Sequence, residues 1–170
     1  MTHIRMTLNG APVVREVEDR TSLADFLRED CGLTATHLGC EHGACGACSV
    51  VVDGLLTRAC LKFAVQCDGR AVTTLEGLNQ DRVTEALRDA FHRSHALQCG
   101  FCTPGMLVTA RDLLLRNPQP SEAEVRDALA GNICRCTGYA GIVHAVASTA
   151  EALAAEALAA EELVRTPRSL

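Results

Sequence analysis

Residues 2–17 alternate polar and apolar side chains on either side of Asn9-Gly10, a dipeptide that supplies the two positive φ angles of a tight turn, and so predict a β-hairpin. Ser22, with Asp25 three residues on, forms a capping box ahead of Leu23 and Phe26-Leu27 at helical spacing. Gly32 suits the position after the last turn, so a short helix is expected there. Residues 39–48, GCEHGACGAC, follow neither period and predict an irregular loop. Next, SVVVDGLLTRAC reads as a second hairpin turning at Asp53-Gly54. With Val52 facing Leu55, continuing that register sets Cys60 opposite Ala47 and beside Cys48, so the hairpin closes the cysteine loop.

After Thr74 the period becomes helical. From Asp81, Val83, Leu87, Ala90 and Phe91 form one apolar stripe. A second helix is expected with Thr103 as cap and Pro104 in its first turn, carrying Met106, Leu107, Ala110, Leu113 and Leu114 to Asn117-Pro118. A third runs from the Ser121/Glu124 capping box through Val125 and Leu129 to Gly131; a fourth begins near 138–141 and continues through Ile142, Val146 and Leu153. Strands followed by helices make the fold class α+β, and four helices with short connections pack most simply up-down-up-down. In that bundle the first and third connections share one end, which gathers Cys99, Cys102, Cys134 and Cys136 before helix N-termini that favour thiolate. The division expected is 1–76, 77–150 and a helical extension and tail over 151–170.

Lys+Arg 16 against Asp+Glu 21 gives a net charge of -5, the wrong sign for neutralising phosphates along a nucleic acid. No signal peptide or twin-arginine pair is visible at the N-terminus, and no apolar run suggests a membrane span, so a cytoplasmic location is expected. In a reducing compartment ten cysteines point to metal before disulfides. Cys40-x4-Cys45-x2-Cys48 followed by Cys60 has the spacing of plant-type [2Fe–2S] ligation, and Gly39, Gly43 and Gly46 let backbone N–H groups approach the sulfurs. Four thiolates also suit zinc, although zinc loops favour two C-x2–4-C knuckles. Cys99-x2-Cys102 with Cys134-x1-Cys136 leaves zinc and iron–sulfur both open when taken alone; beside the first set, two iron–sulfur centres are the better reading. Two centres in one small chain suggest a wire for single electrons.

The segments GCEHGACGACSV, the Cys60 region, QCGFCTPGM at 98–106 and GNICRCTGY at 131–139 closely resemble the iron–sulfur subunit or domain of the molybdenum hydroxylases, the xanthine oxidase/dehydrogenase family. The resemblance runs from about residue 3 to about residue 150. It implies a ferredoxin-like β-grasp domain followed by a four-helix domain, each with one [2Fe–2S] cluster. It further implies that the helical-domain cluster lies beside a molybdopterin-type molybdenum cofactor and the plant-type cluster lies toward FAD. Because the chain ends soon after the matching segments, a large molybdenum subunit and a medium FAD subunit are expected as partners, in a heterotrimer or its dimer. By the same resemblance Gln98 and Cys136 face the pterin, and this chain supplies neither a molybdenum ligand nor a catalytic residue. Two rivals stand beside this reading: a structural four-cysteine zinc adaptor and a free-standing two-cluster ferredoxin.

Cys31 and Cys67 fall outside both sets and read as small buried hydrophobes. His37 and His42 read as ordinary loop residues, with charge tuning of the first cluster as the sharper alternative. The tail EALAAEALAAEELVRTPRSL repeats every five residues, which turns Glu151, Glu156 and Glu161 around a helix axis; Arg165 and Arg168 suit a helix C-terminus. An extension of the fourth helix is expected, with docking onto a partner subunit as the sharper alternative.

Overall fold

A computed structural model describes residues 1–165, and side chains as far as Ala160. Strands β1 (Thr2–Leu8) and β2 (Ala11–Val17) pair antiparallel with Leu8 facing Ala11, and the turn between them sets Asn9 at φ 51° and Gly10 at φ 83°. Ser22 caps α1 (Leu23–Asp25) by accepting from the Asp25 N–H. The helix then widens into a π-turn over Phe26–Asp30, with the Cys31 N–H reaching Phe26 O, and the chain leaves through Gly32 at φ 68°. Strands β3 (Ser49–Val52) and β4 (Leu55–Arg58) form the second hairpin in the expected register. Its ladder stops at Ser49↔Arg58, because Ala59–Leu61 coils into a 3-10 turn. Cys60 is therefore not strand-paired with Ala47, but a bond from Ala59 N to Cys48 O (3.1 Å) keeps the turn beside Cys48.

The sheet order is β2-β1-β5-β3-β4, with β5 (Ala71–Thr73) parallel to β1 and antiparallel to β3. Sequence pattern missed β5, since three residues are too short to show a period. Ile4, Met6 and Leu8 alternate onto one face of β1 and bury against Leu23, Phe26 and Leu27, so the mixed sheet wraps around the short helix as in a β-grasp. Each of these large side chains contributes about 1.5–3 kcal/mol through burial.

Helices α2 (Arg82–Arg93), α3 (Thr103–Arg116), α4 (Glu122–Leu129) and α5 (Ala140–Arg165) follow. Helix α2 packs against α3 and α5, and α4 packs against the same two, which is the neighbour ring of an up-down-up-down bundle. Its core holds Leu87, Phe91, Met106, Leu113, Leu129, Ile142 and Val146. Asp81 caps α2 and also pairs with Arg111 of α3 at 2.8 Å. At α3 the cap position is Cys102, whose side chain makes no capping bond. Thr103 is instead the first helical residue, and its buried hydroxyl has no hydrogen-bond partner among the described residues.

Helix α5 runs past the bundle, and Glu156 on that extension pairs with Arg82. Ala140–Ala160 has a mean hydropathy of 1.3 and is long and apolar enough, by length and composition, to cross a membrane. Alanines interrupted by Glu151 and Glu156 hide that average from a search for unbroken apolar runs. Ile142, Val143, Ala145, Val146 and Ala150 on this stretch bury in the bundle core. Arg168 and the rest of 166–170 lie outside the described residues, as do the side chains of Glu161 and Arg165.

Candidate metal centres

The 39–48 loop folds back on its own sulfurs. The Cys45 N–H points at Cys40 Sγ (3.4 Å), and backbone N–H groups of His42 and Cys45 pull the Cys40 thiol down to about 6. Gly43 (φ 83°) and Gly46 (φ 71°) hold left-handed backbone conformations, and a Cβ at Gly43 would run into Leu61. Cys48 is buried, with the Cys60 thiol as its neighbour. Burial first, and that neighbouring thiol second, push Cys60 up to about 11. The four sulfurs thus fall into two neighbouring pairs, Cys40 with Cys45 and Cys48 with Cys60. His42 turns inward on its own loop, with Nδ1 at 2.5 Å from Cys40 O.

The bundle brings the other four together from two separate connections. Cys99 and Cys102 precede α3, Cys134 and Cys136 precede α5, and the sulfurs of Cys136 and Cys99 stand 3.6 Å apart. Cys102 contacts Cys134; burial first, then that contact, push Cys102 up to about 12. Burial raises Cys134 as well, but the Thr137 hydroxyl (3.2 Å) and the N–H groups of Thr137 and Cys136 outweigh it, and the thiol lies below its ordinary value. Cys134 N–H also donates to the Tyr139 hydroxyl (2.7 Å), which donates on to Asn132 O (3.1 Å). Cys99 and Cys136 are exposed, and the Gln98 amide donates to Cys136 O at 3.0 Å.

Both sets suit a [2Fe–2S] cluster, in which each iron takes two protein ligands. Each offers two sulfur pairs, with backbone N–H groups or a hydroxyl aimed at one sulfur, the kind of hydrogen bonding that tunes cluster thiolates. Cys67 is fully buried and Cys31 half-buried against the sheet core, both with thiols raised by burial.

Three contacts were not foreseen from sequence, and all join the two sets. Ile133 N–H donates to Cys45 O (2.8 Å). His37 does more than an ordinary loop residue: its ring stacks on Phe101 with centroids 4.8 Å apart, and its Nδ1 hydrogen-bonds Phe101 O (2.7 Å). Arg58 spans from the β3–β4 hairpin to Gly131 O (2.8 Å) and Asn132 Oδ1 (3.1 Å). The one signal available was proximity in sequence, since Arg58 and Asn132 each stand two residues before a cysteine.

A ferredoxin-like sheet domain and a helical domain, each with four gathered cysteines, define a two-cluster iron–sulfur protein. Residues 6–68 match the family model described as a 2Fe-2S iron-sulfur cluster binding domain, and residues 74–147 match that of a [2Fe-2S] binding domain. Caffeine dehydrogenase subunit gamma of Pseudomonas sp. (strain CBB1) is 49% identical over 148 residues, covering 85% of this chain and 89% of that one. The xanthine dehydrogenase iron-sulfur-binding subunit of Escherichia coli is 42% identical over 146 residues, covering 84% of this chain and 91% of that one. The crystal structure of quinoline 2-oxidoreductase from Pseudomonas putida 86 superposes with a TM-score of 0.85 at 52% identity, covering 91% of this chain and 96% of that one. The chain belongs to the iron–sulfur subunits of the molybdenum hydroxylases, the xanthine oxidase/dehydrogenase family, where it carries two [2Fe–2S] clusters and serves electron transfer in an oxidoreductase. Neither the zinc adaptor nor the free-standing ferredoxin is favoured by these likenesses.

Proposed function

We propose that Cys40, Cys45, Cys48 and Cys60 hold one cluster and Cys99, Cys102, Cys134 and Cys136 the other, with Gly39, Gly43 and Gly46 admitting backbone N–H groups to the first. The observation that carries this assignment is the gathering of each set's thiols into one neighbourhood, with Cys60 beside Cys48 and Cys40, Cys102 beside Cys134 and Cys99, and the Cys99 and Cys136 sulfurs 3.6 Å apart. Bound there, the clusters supply one-electron redox chemistry, and the chain's own work is to hold, space and tune them.

Cys99 and Cys136 lie at the surface with Gln98 bonded to Cys136 O, among exposed Leu97, Phe101 and Ile133. That supports a face turned to a large molybdenum subunit, with Gln98 and Cys136 toward its pterin. Exposed Leu61 and Phe63 adjoin Cys60 and support an exit toward FAD on a medium subunit. The assembly is then a heterotrimer or its dimer, in the cytoplasm, with this chain divided into 1–76, 77–150 and an extension from 151. Relatives covering most of their own length are named as dehydrogenase subunits, which supports separate partners. Caffeine, xanthine and quinoline in the relatives' names are N-heteroaromatic rings, the first class to test as electron source.

Native protein should contain about four irons and about four labile sulfides per chain, measured by metal analysis and sulfide release. Stoichiometric zinc without labile sulfide would overturn the assignment.

A further inference from the structure

Asn132 is 1% exposed, and every polar atom of its side chain is engaged across the boundary between the two cysteine sets. Its Nδ2 donates to Gly46 O (3.1 Å), inside the loop between Cys45 and Cys48. Its Oδ1 accepts from Arg58 Nη2 (3.1 Å) on the sheet side and from Thr109 Oγ1 (3.1 Å) on α3. Two accepted bonds fill the carbonyl's lone pairs, so the amide is oriented without ambiguity. Around it the backbones touch. A Cβ on Gly46 would strike Gly131 O and the Asn132 side chain, and a Cβ on Gly105 would strike Gly46 O. Arg58 closes the ring by donating to Ser49 Oγ, which donates to Gly46 O (2.6 Å), and to Gly131 O (2.8 Å). One residue further on, Ile133 N–H bonds Cys45 O, and Cys134 follows directly.

Stability alone does not call for a fully bonded amide at this boundary, since an apolar contact of similar shape stabilises a buried interface about as well. A buried amide with three directed partners adds uniqueness of position, because any slip leaves a polar atom unpaired and away from water. We infer that Asn132 is a positioning residue for electron transfer: it fixes the distance and orientation of the Cys40–Cys60 cluster relative to the Cys99–Cys136 cluster. Arg58 supports the amide from the sheet side. The inference rests on the proposed ligand sets, and the test separates the two.

Iron and sulfide are measured first on the full chain; a wild-type content well below about four of each would fail the ligand assignment rather than the role of Asn132. Both clusters are then reduced, and the separation between the two paramagnets is measured by pulsed-EPR dipolar spectroscopy. Wild type should give one narrow separation. Asn132→Ala, and Asn132→Asp, which turns an acceptor toward Gly46 O, should keep their iron but give a broadened or shifted separation, with slower electron exchange between clusters. Thr109→Val, which leaves the Gly46 and Arg58 bonds in place, should stay narrow. A wild-type distribution in fully loaded Asn132→Ala would overturn the inference. Should Asn132→Ala lose iron, Arg58→Ala is read in its place: a broadened separation supports the latch, and an unchanged one overturns it.

Discussion

The two cysteine sets solve one problem by different means. In the sheet domain, three of the four cysteines stand within one loop, the fourth follows the hairpin that closes it, and the N–H groups that lower Cys40 come from the same loop. In the helical domain two pairs arrive from connections far apart in sequence and meet because the bundle puts both connections at one end. The first set is preformed by local backbone geometry. The second is a product of helix packing, so its integrity is tied to the stability of a distant apolar core. Solvent divides them too: each set has one buried cysteine, Cys48 or Cys134, but only the helical set has exposed ones, Cys99 and Cys136, open to whatever docks at that end.

This contrast can be broken at several points. The largest effect should come from the proposed ligands themselves. Cys102→Ser should remove the helical-domain cluster and leave the loop cluster, and Cys45→Ser should do the reverse, because serine's harder oxygen is a poor substitute for thiolate. Iron analysis with EPR of the surviving centre reads both; loss of both clusters from either variant would mean that the sites are not independent.

Leu87→Ala, deep in the bundle and remote from any cysteine in sequence, should cost about 2–5 kcal/mol. In a denaturant series followed by visible absorption and EPR, the Cys99–Cys136 centre should bleach before the loop centre. Simultaneous loss would show that the local loop is not self-sufficient.

A smaller effect is expected at Asp81, where the hydrogen bond from Arg111 holds the carboxyl at about 2, against an ordinary value of 3.8. A depressed carboxyl stabilises fully above its unfolded value, and that contribution is lost as pH falls through about 2. Asp81→Asn should cost about 1–2 kcal/mol at neutral pH and flatten the decline of stability between those two values, followed by helical circular dichroism. An acid limb as steep as that of wild type would remove this pair from the bundle's stability.

The smallest effect sharpens the ligand sets by exclusion. Cys31→Ser and Cys67→Ala should leave iron content unchanged, with Cys67→Ala altering stability by about 1 kcal/mol through its small cavity. Loss of iron from Cys67→Ala comparable to that from Cys102→Ser would mean the sets are wrongly drawn.

Features that depend on neighbours in sequence were legible in the chain. Asn9-Gly10 and Asp53-Gly54 turn where their left-handed preferences dictate, and the Ser22 and Ser121 caps start helices because each accepts a nearby N–H. Cysteine spacing likewise separated eight candidates from Cys31 and Cys67. At α3 the same reasoning was off by one residue: Thr and Pro both favour a helix start, and the chain resolved their competition by placing Cys102 at the cap.

Sequence by itself determined the two hairpins, the amphipathic helices and the chemistry of the cysteines, since turn dihedrals, capping bonds and apolar period are set within a few residues. Tertiary structure alone decided that Ala71–Thr73 becomes the central strand, because three residues acquire that role only from ladder partners on β1 and β3. It also decided that Cys102 meets Cys134 while Cys99 meets Cys136, and that His37 lies on Phe101. The junction of Gly46, Asn132 and Arg58 belongs to the same class. Its bonds join residues far apart in the chain, and no local preference encodes a contact whose partner is chosen by how two domains pack.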